Sequence, residues 1–192
     1  SKYNTLKRRK FINNVFISSL GLGSMGSINP YYNQYVFPYK ISLAQFSLFR
    51  LEMSREIDPM NFAKISNELG FDGLEYLQIS YTGGLLREKK KTSLNGIKKL
   101  AKDLNKRAKD FNQENVLIMI DSAPDLGSYV DNYDDYHTWI DCASEMKCHS
   151  VRVNLRGSDQ NLSNWSENSI YNLNKLCEYA KPLDINIIIE NH

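Results

Sequence analysis

The chain has 192 residues, of which 42% are hydrophobic and 24% charged, with a formal net charge of +2 at pH 7. This length and balance suit one ordinary globular domain with a sizeable core. Near-neutral charge gives no electrostatic reason to expect a nucleic-acid partner, and the 12 Tyr and 8 Phe are not interleaved with a basic stripe that would stack on bases.

The first element is an address rather than a fold element. Lys7-Arg8-Arg9-Lys10-Phe11-Ile12 precedes a short, weakly apolar run ending in Gly and Ser, the pattern of an export signal. The run is too short and too rich in Gly and Ser to span a bilayer. Paired arginines followed by Lys-Phe-Ile resemble the twin-arginine signal of bacterial export. Residues 1–28 are therefore read as this signal, with a periplasmic or exported destination and no membrane partner once it is removed. Residues 29–39, with Pro30 and Pro38, read as a linker, and 40–192 as the mature domain.

From Lys40 onward, strand and helix periods alternate. Residues 41–48 are expected as a first strand. Asp58-Pro59 then supplies an N-cap and a first-turn proline. Phe62, Ile65 and Leu69 give the apolar face of that helix, which Gly70 closes. Residues 73–77 are a second strand carrying Glu75. Ile97, Leu100, Ala101, Leu104, Ala108 and Phe111 mark a long amphipathic helix, whose lysine-rich opposite face (Lys98, Lys99, Lys102, Lys106, with Lys89 to Lys91 upstream) reads as solvated.

A third strand over 116–120 ends in Asp121-Ser122. Tyr136, Trp139, Ile140, Ala143 and Met146 predict the next helix, 150–156 a fourth strand, and Leu173, Leu176, Cys177 and Ala180 the face of a further helix. Residues 185–190 form strand five. The three cysteines, Cys142, Cys148 and Cys177, fit neither a disulfide framework nor a zinc spacing. Cys177, on an apolar stripe, is expected to be a buried small hydrophobe.

Five strands separated by four helices indicate βαβ units and a parallel sheet. No glycine-rich phosphate turn follows strand one, which weakens a dinucleotide-binding fold. In strand four, Arg152, Asn154 and Arg156 alternate with Val151, Val153 and Leu155. An open parallel sheet covered on both faces would read as continuously apolar, so the alternation favours a barrel whose lumen carries polar groups. The fold class is α/β, a (β/α)8 TIM barrel represented by its first five strands and four helices. Residues 40–192 fall well short of the roughly 250 that a complete barrel takes, which predicts an incomplete barrel with unpaired edges at strands one and five. Such edges favour self-association into a homo-oligomer.

In a βα barrel, catalytic groups stand where strands end. Strand five runs into Glu190-Asn191-His192, placing a carboxylate and an imidazole there, both suited to metal binding and proton transfer. Glu75 and Asp121 approach the same mouth, and Asn154 and Arg156 are placed to hold hydroxyls or a phosphate.

Residues 41–48 (ISLAQFSL), 69–75 (LGFDGLE), 139–143 (WIDCA), 151–157 (VRVNLRG) and 189–192 (IENH) together resemble the sugar phosphate isomerase/epimerase family with the xylose-isomerase-like barrel. The resemblance implies a metal-dependent enzyme for a small-molecule sugar or sugar phosphate, moving a proton next to a carbonyl through an enediolate. It implies that Glu190 is both a ligand of a divalent metal (Mn, Mg or Zn) and an acid/base carboxylate, with further ligands supplied by later strands. Glu75, Asn154, Arg156 and His192 are then the substrate-contacting residues. Phe49 departs from the polar residue that similar sequences often carry at the mouth of strand one. Two rivals use the same barrel: an endonuclease-IV-like metal hydrolase, which calls for more His and Asp at strand ends, and a non-catalytic carbohydrate-binding barrel.

Overall fold

The computed structural model describes residues 39–82, 94–156 and 162–190. The stretch read as an export signal (1–28), nearly all of the expected linker, Lys89 to Lys91, Asn191 and His192 lie outside the described residues. Five parallel strands form one sheet in chain order: β1 Ser42–Ala44, β2 Gly73–Leu77, β3 Glu114–Met119, β4 Ser150–Asn154 and β5 Asn186–Glu190. The helices are α1 Phe49–Met53, α2 Phe62–Leu69, α3 Leu94–Asp110, α4 Asp134–Glu145 and α5 Leu162–Ala180. This alternation is that of a partial TIM barrel. No helix among the described residues is long and apolar enough to cross a membrane.

The register sorts the two faces of the sheet. Tyr76, Ile118, Val151 and Ile187 stand side by side on successive strands. With Leu74 and Val153 they meet the helices in one apolar cluster. The stripes predicted for the helices fill its other side. Ile97, Ala101, Leu104 and Ala108 of α3 are buried, as are Tyr136, Trp139, Ile140 and Ala143 of α4 and Met146 beyond it. Each large side chain enclosed this way contributes about 1.5–3 kcal/mol. Phe62 packs edge-on against Tyr76, with ring centroids 5.5 Å apart. The lysine face of α3 is solvent-facing, and Lys106–Asp110 and Arg107–Asp103 pair along it.

The second strand lies where it is expected. Asp58 caps a short 3-10 turn over Pro59–Asn61 by accepting from the Met60 amide at 2.9 Å, and that turn leads into α2. Gly70 ends α2 in the left-handed conformation, at φ +83°, which glycine adopts without steric cost. At Gly73 a Cβ would stand 2.7 Å from Val116 Cγ2, so the close approach of β2 and β3 requires glycine there.

Two expectations are corrected. Strand one does not run over 41–48: it stops at Ala44, and Gln45–Leu48 turn as a 3-10 helix into α1. Of the apolar residues that suggested a strand, Leu43 is buried and Ile41 and Leu48 are half-buried against the core, whereas Phe46 turns out to solvent, 60% exposed and stacked on Phe49. Gln45 meanwhile folds inward to serve buried polar groups. Cys177 is exposed rather than buried. The inward stripe of α5 runs Ser169, Asn172, Leu176, Ala180, and Cys177 falls beside it. Asn172 occupies the apolar position because it donates to the Leu126 and Ser128 carbonyls at 2.7 and 2.9 Å and accepts from the Tyr133 hydroxyl.

Among the described residues β1 pairs with β2 alone and β5 with β4 alone. Ile188 and Ile189 of β5 are 39% and 47% exposed.

Candidate active site at the strand ends

The C-terminal ends of all five strands carry a belt of polar side chains. It begins directly after β1. Gln45 is fully buried, and its side-chain carbonyl accepts from the Leu77 amide at 2.9 Å. Its amide donates to Glu52 at 2.8 Å, and Ser80 donates to the other Glu52 oxygen at 2.5 Å. Glu52 is 1% exposed. Burial raises its pKa above the ordinary 4.5, against the opposing pull of the Ser80 and Gln45 hydrogen bonds, because enclosure penalises the charged form.

Gln78, directly after β2, continues the belt to β3. Its carbonyl accepts from the backbone amides of Asp121 and Ser122 at 3.3 and 3.1 Å, and its amide donates to the Ser122 hydroxyl at 2.7 Å. One buried side chain thus fixes the peptide that carries the Asp121 carboxylate.

The third part joins β3, β4 and β5. Arg152 and Asn154 are both 7% exposed. Nη1 of Arg152 donates to Asp121 at 2.8 Å and to the Asn154 carbonyl at 2.6 Å, while Nε lies 3.0 Å from a Glu190 oxygen. Asn154 also donates to Asp121, at 2.6 Å. The two ion pairs differ in kind. Arg152 and Asp121 side chains are 9% and 13% exposed, whereas Glu190 is 48% exposed. The Glu190 arm is therefore screened by water and contributes about 0.2–1 kcal/mol. Breaking the Asp121 arm would strand a buried charge, which is far more costly.

The residues expected at the site are placed as follows. Glu190 ends β5 and Asn154 ends β4, in register with each other. Asp121 joins them. Arg156 lies two residues beyond β4 and is exposed; its carbonyl accepts from the Gly127 amide at 2.7 Å. Glu75 lies in the middle of β2 rather than at its end, and it accepts from the Ser42 hydroxyl of β1. His192 lies outside the described residues. Gln45, Glu52, Gln78 and Ser80 were not foreseen as site residues. The sequence signal that points to them is a glutamine placed immediately after each of the first two strands.

Two carboxylates, Asp121 just beyond β3 and Glu190 at the end of β5, converge on the Arg152 guanidinium from either side of β4. Glu190 is the half-exposed carboxylate of the pair. Among the described residues no three His, Cys, Asp or Glu side chains gather into a metal cluster.

No protein-family model matches the chain, and no curated protein is similar to it in sequence. Solved structures do match in fold. A sugar phosphate isomerase/epimerase from Parabacteroides distasonis ATCC 8503 is 14% identical with a TM-score of 0.57, over 89% of this chain and 56% of that one. A xylose isomerase domain-containing protein from Salmonella typhimurium LT2 is 10% identical with a TM-score of 0.55, over 78% of this chain and 48% of that one. A D-psicose 3-epimerase, solved in the presence of D-fructose, is 16% identical with a TM-score of 0.52, over 80% and 55% respectively. The chain thus spans about half the length of the solved structures it matches, and what it shares with them is the fold of a partial TIM barrel.

Proposed function

We propose that this chain carries part of the active site of a sugar or sugar phosphate isomerase or epimerase, which moves a proton between carbons next to a carbonyl. The observation that carries the reading is the Asp121–Arg152–Asn154–Glu190 cluster at the ends of β3, β4 and β5, where barrels of this kind place their chemistry. The fold likeness to proteins described as sugar isomerases and epimerases adds support.

In this reading Glu190 is the base. Its carboxylate removes the proton from the carbon beside the carbonyl, and the bond's electron pair moves onto the carbonyl oxygen to give an enediolate. A second acid on the opposite face, expected from a later strand, would deliver a proton there to give the epimer; return by Glu190 to the neighbouring carbon, with a proton passing between the two oxygens, gives the isomer. Arg152 keeps Glu190 aimed through the 3.0 Å contact of its Nε. Asn154, Arg156 and His192 hold substrate hydroxyls or a phosphate, and Glu75 contacts the substrate from β2. Glu190 would also hold a divalent cation (Mn, Mg or Zn), which when bound stabilises negative charge on the substrate oxygens.

The test is solvent exchange. The chain is incubated with ketoses and their phosphates in deuterated water with Mn, and deuterium at the carbon beside the carbonyl is followed by NMR. Exchange is expected, falling about 100-fold or more in Glu190→Gln. No exchange with any ketose, or equal exchange by the variant, refutes the assignment. We further propose that residues 1–28 export the protein through the twin-arginine route; replacing Arg8 and Arg9 by lysine is expected to retain it in the cytoplasm, as read by cell fractionation.

A further inference from the structure

The loop that follows β3 is pinned along its length. Asn172 of α5 donates to the Leu126 and Ser128 carbonyls at 2.7 and 2.9 Å, and the Tyr136 hydroxyl donates to the Pro124 carbonyl at 2.6 Å. The Gly127 amide donates to the Arg156 carbonyl at 2.7 Å. Trp165, in the first turns of α5, lies against this loop at Gly127. A Cβ there would stand 2.3 Å from Trp165 Nε1 and 2.7 Å from the Arg156 carbonyl oxygen. Loop, indole and the chain leaving β4 therefore meet two residues beyond Asn154, at most about 7 Å of chain from the polar cluster.

The indole is half-buried. Its N–H donates to no described residue, yet Nε1 is not sealed from solvent. An enclosed indole ordinarily finds an acceptor for that N–H. Here the position is left to water or to a ligand, and a donor on a fixed mount loses little freedom when a ligand takes it.

We propose that Trp165 is a substrate-binding residue of the mouth, which gives its N–H to a sugar hydroxyl and its ring to the sugar's C–H surface. Gly127 stays bare so that the indole can lie in place. The inference rests on the proposed function for the sugar as ligand, while Glu190 has no part in it.

The chain is labelled with nitrogen-15 and titrated with D-fructose, D-xylulose, D-fructose 6-phosphate and D-xylulose 5-phosphate. The indole N–H resonances of Trp165 and Trp139 are told apart by their loss in Trp165→Phe. A saturable shift of the Trp165 resonance is expected with at least one of these sugars, with Trp139 unmoved. Trp165→Phe keeps a ring but loses the donor, and it should bind that sugar about fivefold more weakly by ligand-detected NMR. Gly127→Ala, which displaces the indole, should weaken binding at least as much where it folds. No saturable shift with any of the sugars overturns the proposal, and so does unchanged affinity in a natively folded Trp165→Phe, the result a merely structural tryptophan would give. Glu190→Gln should retain the shift. Lost solvent exchange with the shift intact therefore strikes Glu190 as base and leaves Trp165 in its role, and exchange without the shift does the reverse.

Discussion

Replacing Gln78 by leucine tests whether the polar belt holds the mouth together. Leucine is close to glutamine in volume, so the substitution removes the amide while leaving little cavity. It deprives the Asp121 and Ser122 amides of their acceptor and the Ser122 hydroxyl of its donor. Gln78 is 3% exposed, but Asp121 and Ser122 lie at the rim, so water replaces part of what is lost. With each stranded group costing about 1–3 kcal/mol when fully buried, the net loss is put at about 2–3 kcal/mol. In a domain of this size that lowers Tm by roughly 4–12 °C. Urea denaturation of wild type and Gln78→Leu at pH 7 measures it directly, with an unchanged m-value confirming that the unfolded states are comparable. Gln78→Glu retains the acceptor and is expected to lose less at pH 4 than at pH 7, where its charge faces Asp121. A Gln78→Leu protein within 0.5 kcal/mol of wild type would refute the argument that this side chain ties β2 to β3.

Glu52 gives a prediction in pH. Its folded pKa is raised, chiefly by burial, so the stability it contributes is full below the ordinary 4.5 and is lost as pH rises through the folded value. Glu52→Gln is expected to flatten the fall in stability above about pH 4.5 and to match or exceed wild type at pH 7; a variant with the wild-type slope contradicts this. The thiols divide by exposure. Cys177 is exposed, while Cys142 and Cys148 are buried with their pKa values pushed up, that of Cys148 to about 12. A thiol reagent should modify Cys177 rapidly and the other two only on unfolding, and rapid modification of all three would count against the packing of α4. The unpaired sides of β1 and β5, with Ile188 and Ile189 half exposed, predict self-association that rises with concentration in sedimentation. Ile189→Lys should weaken it, and a monomer at every concentration would argue against the edge as its cause.

Much of this fold is legible because burial writes a period into the chain. In α4 every residue of the predicted stripe is enclosed, since Tyr136, Trp139, Ile140 and Ala143 recur at the helical repeat and nothing polar interrupts them. The alternation in β4 correctly separated Arg152 and Asn154 from Val151 and Val153, because a barrel wall has one apolar and one polar face. Periodicity fails where the inward position is polar. Asn172 sits on the buried stripe of α5 because the Leu126 and Ser128 carbonyls and the Tyr133 hydroxyl satisfy it; those partners lie far away in sequence, so the apolar pattern Leu173, Leu176, Cys177, Ala180 points to a face turned slightly from the one the helix buries. Strand one was overextended for the same reason. Gln45 turns the chain at Ala44 to reach Leu77 and Glu52, and neither contact leaves a local trace. Of the site, Glu190 and Asn154 were visible as strand ends, whereas the belt through Gln45, Glu52, Gln78 and Ser80 depends on pairings across strands.

Gly127 lies in the loop after β3, and a Cβ there would stand 2.3 Å from Trp165 Nε1 of α5. The indole is thus seated on a loop at the mouth, half buried, while the chain's other tryptophan, Trp139, is enclosed beneath α4 at 3% exposure. The protein therefore carries its own optical reporter. Trp139 supplies a steady background, and the emission of Trp165 registers any rearrangement of the mouth, without a label or a coupled assay.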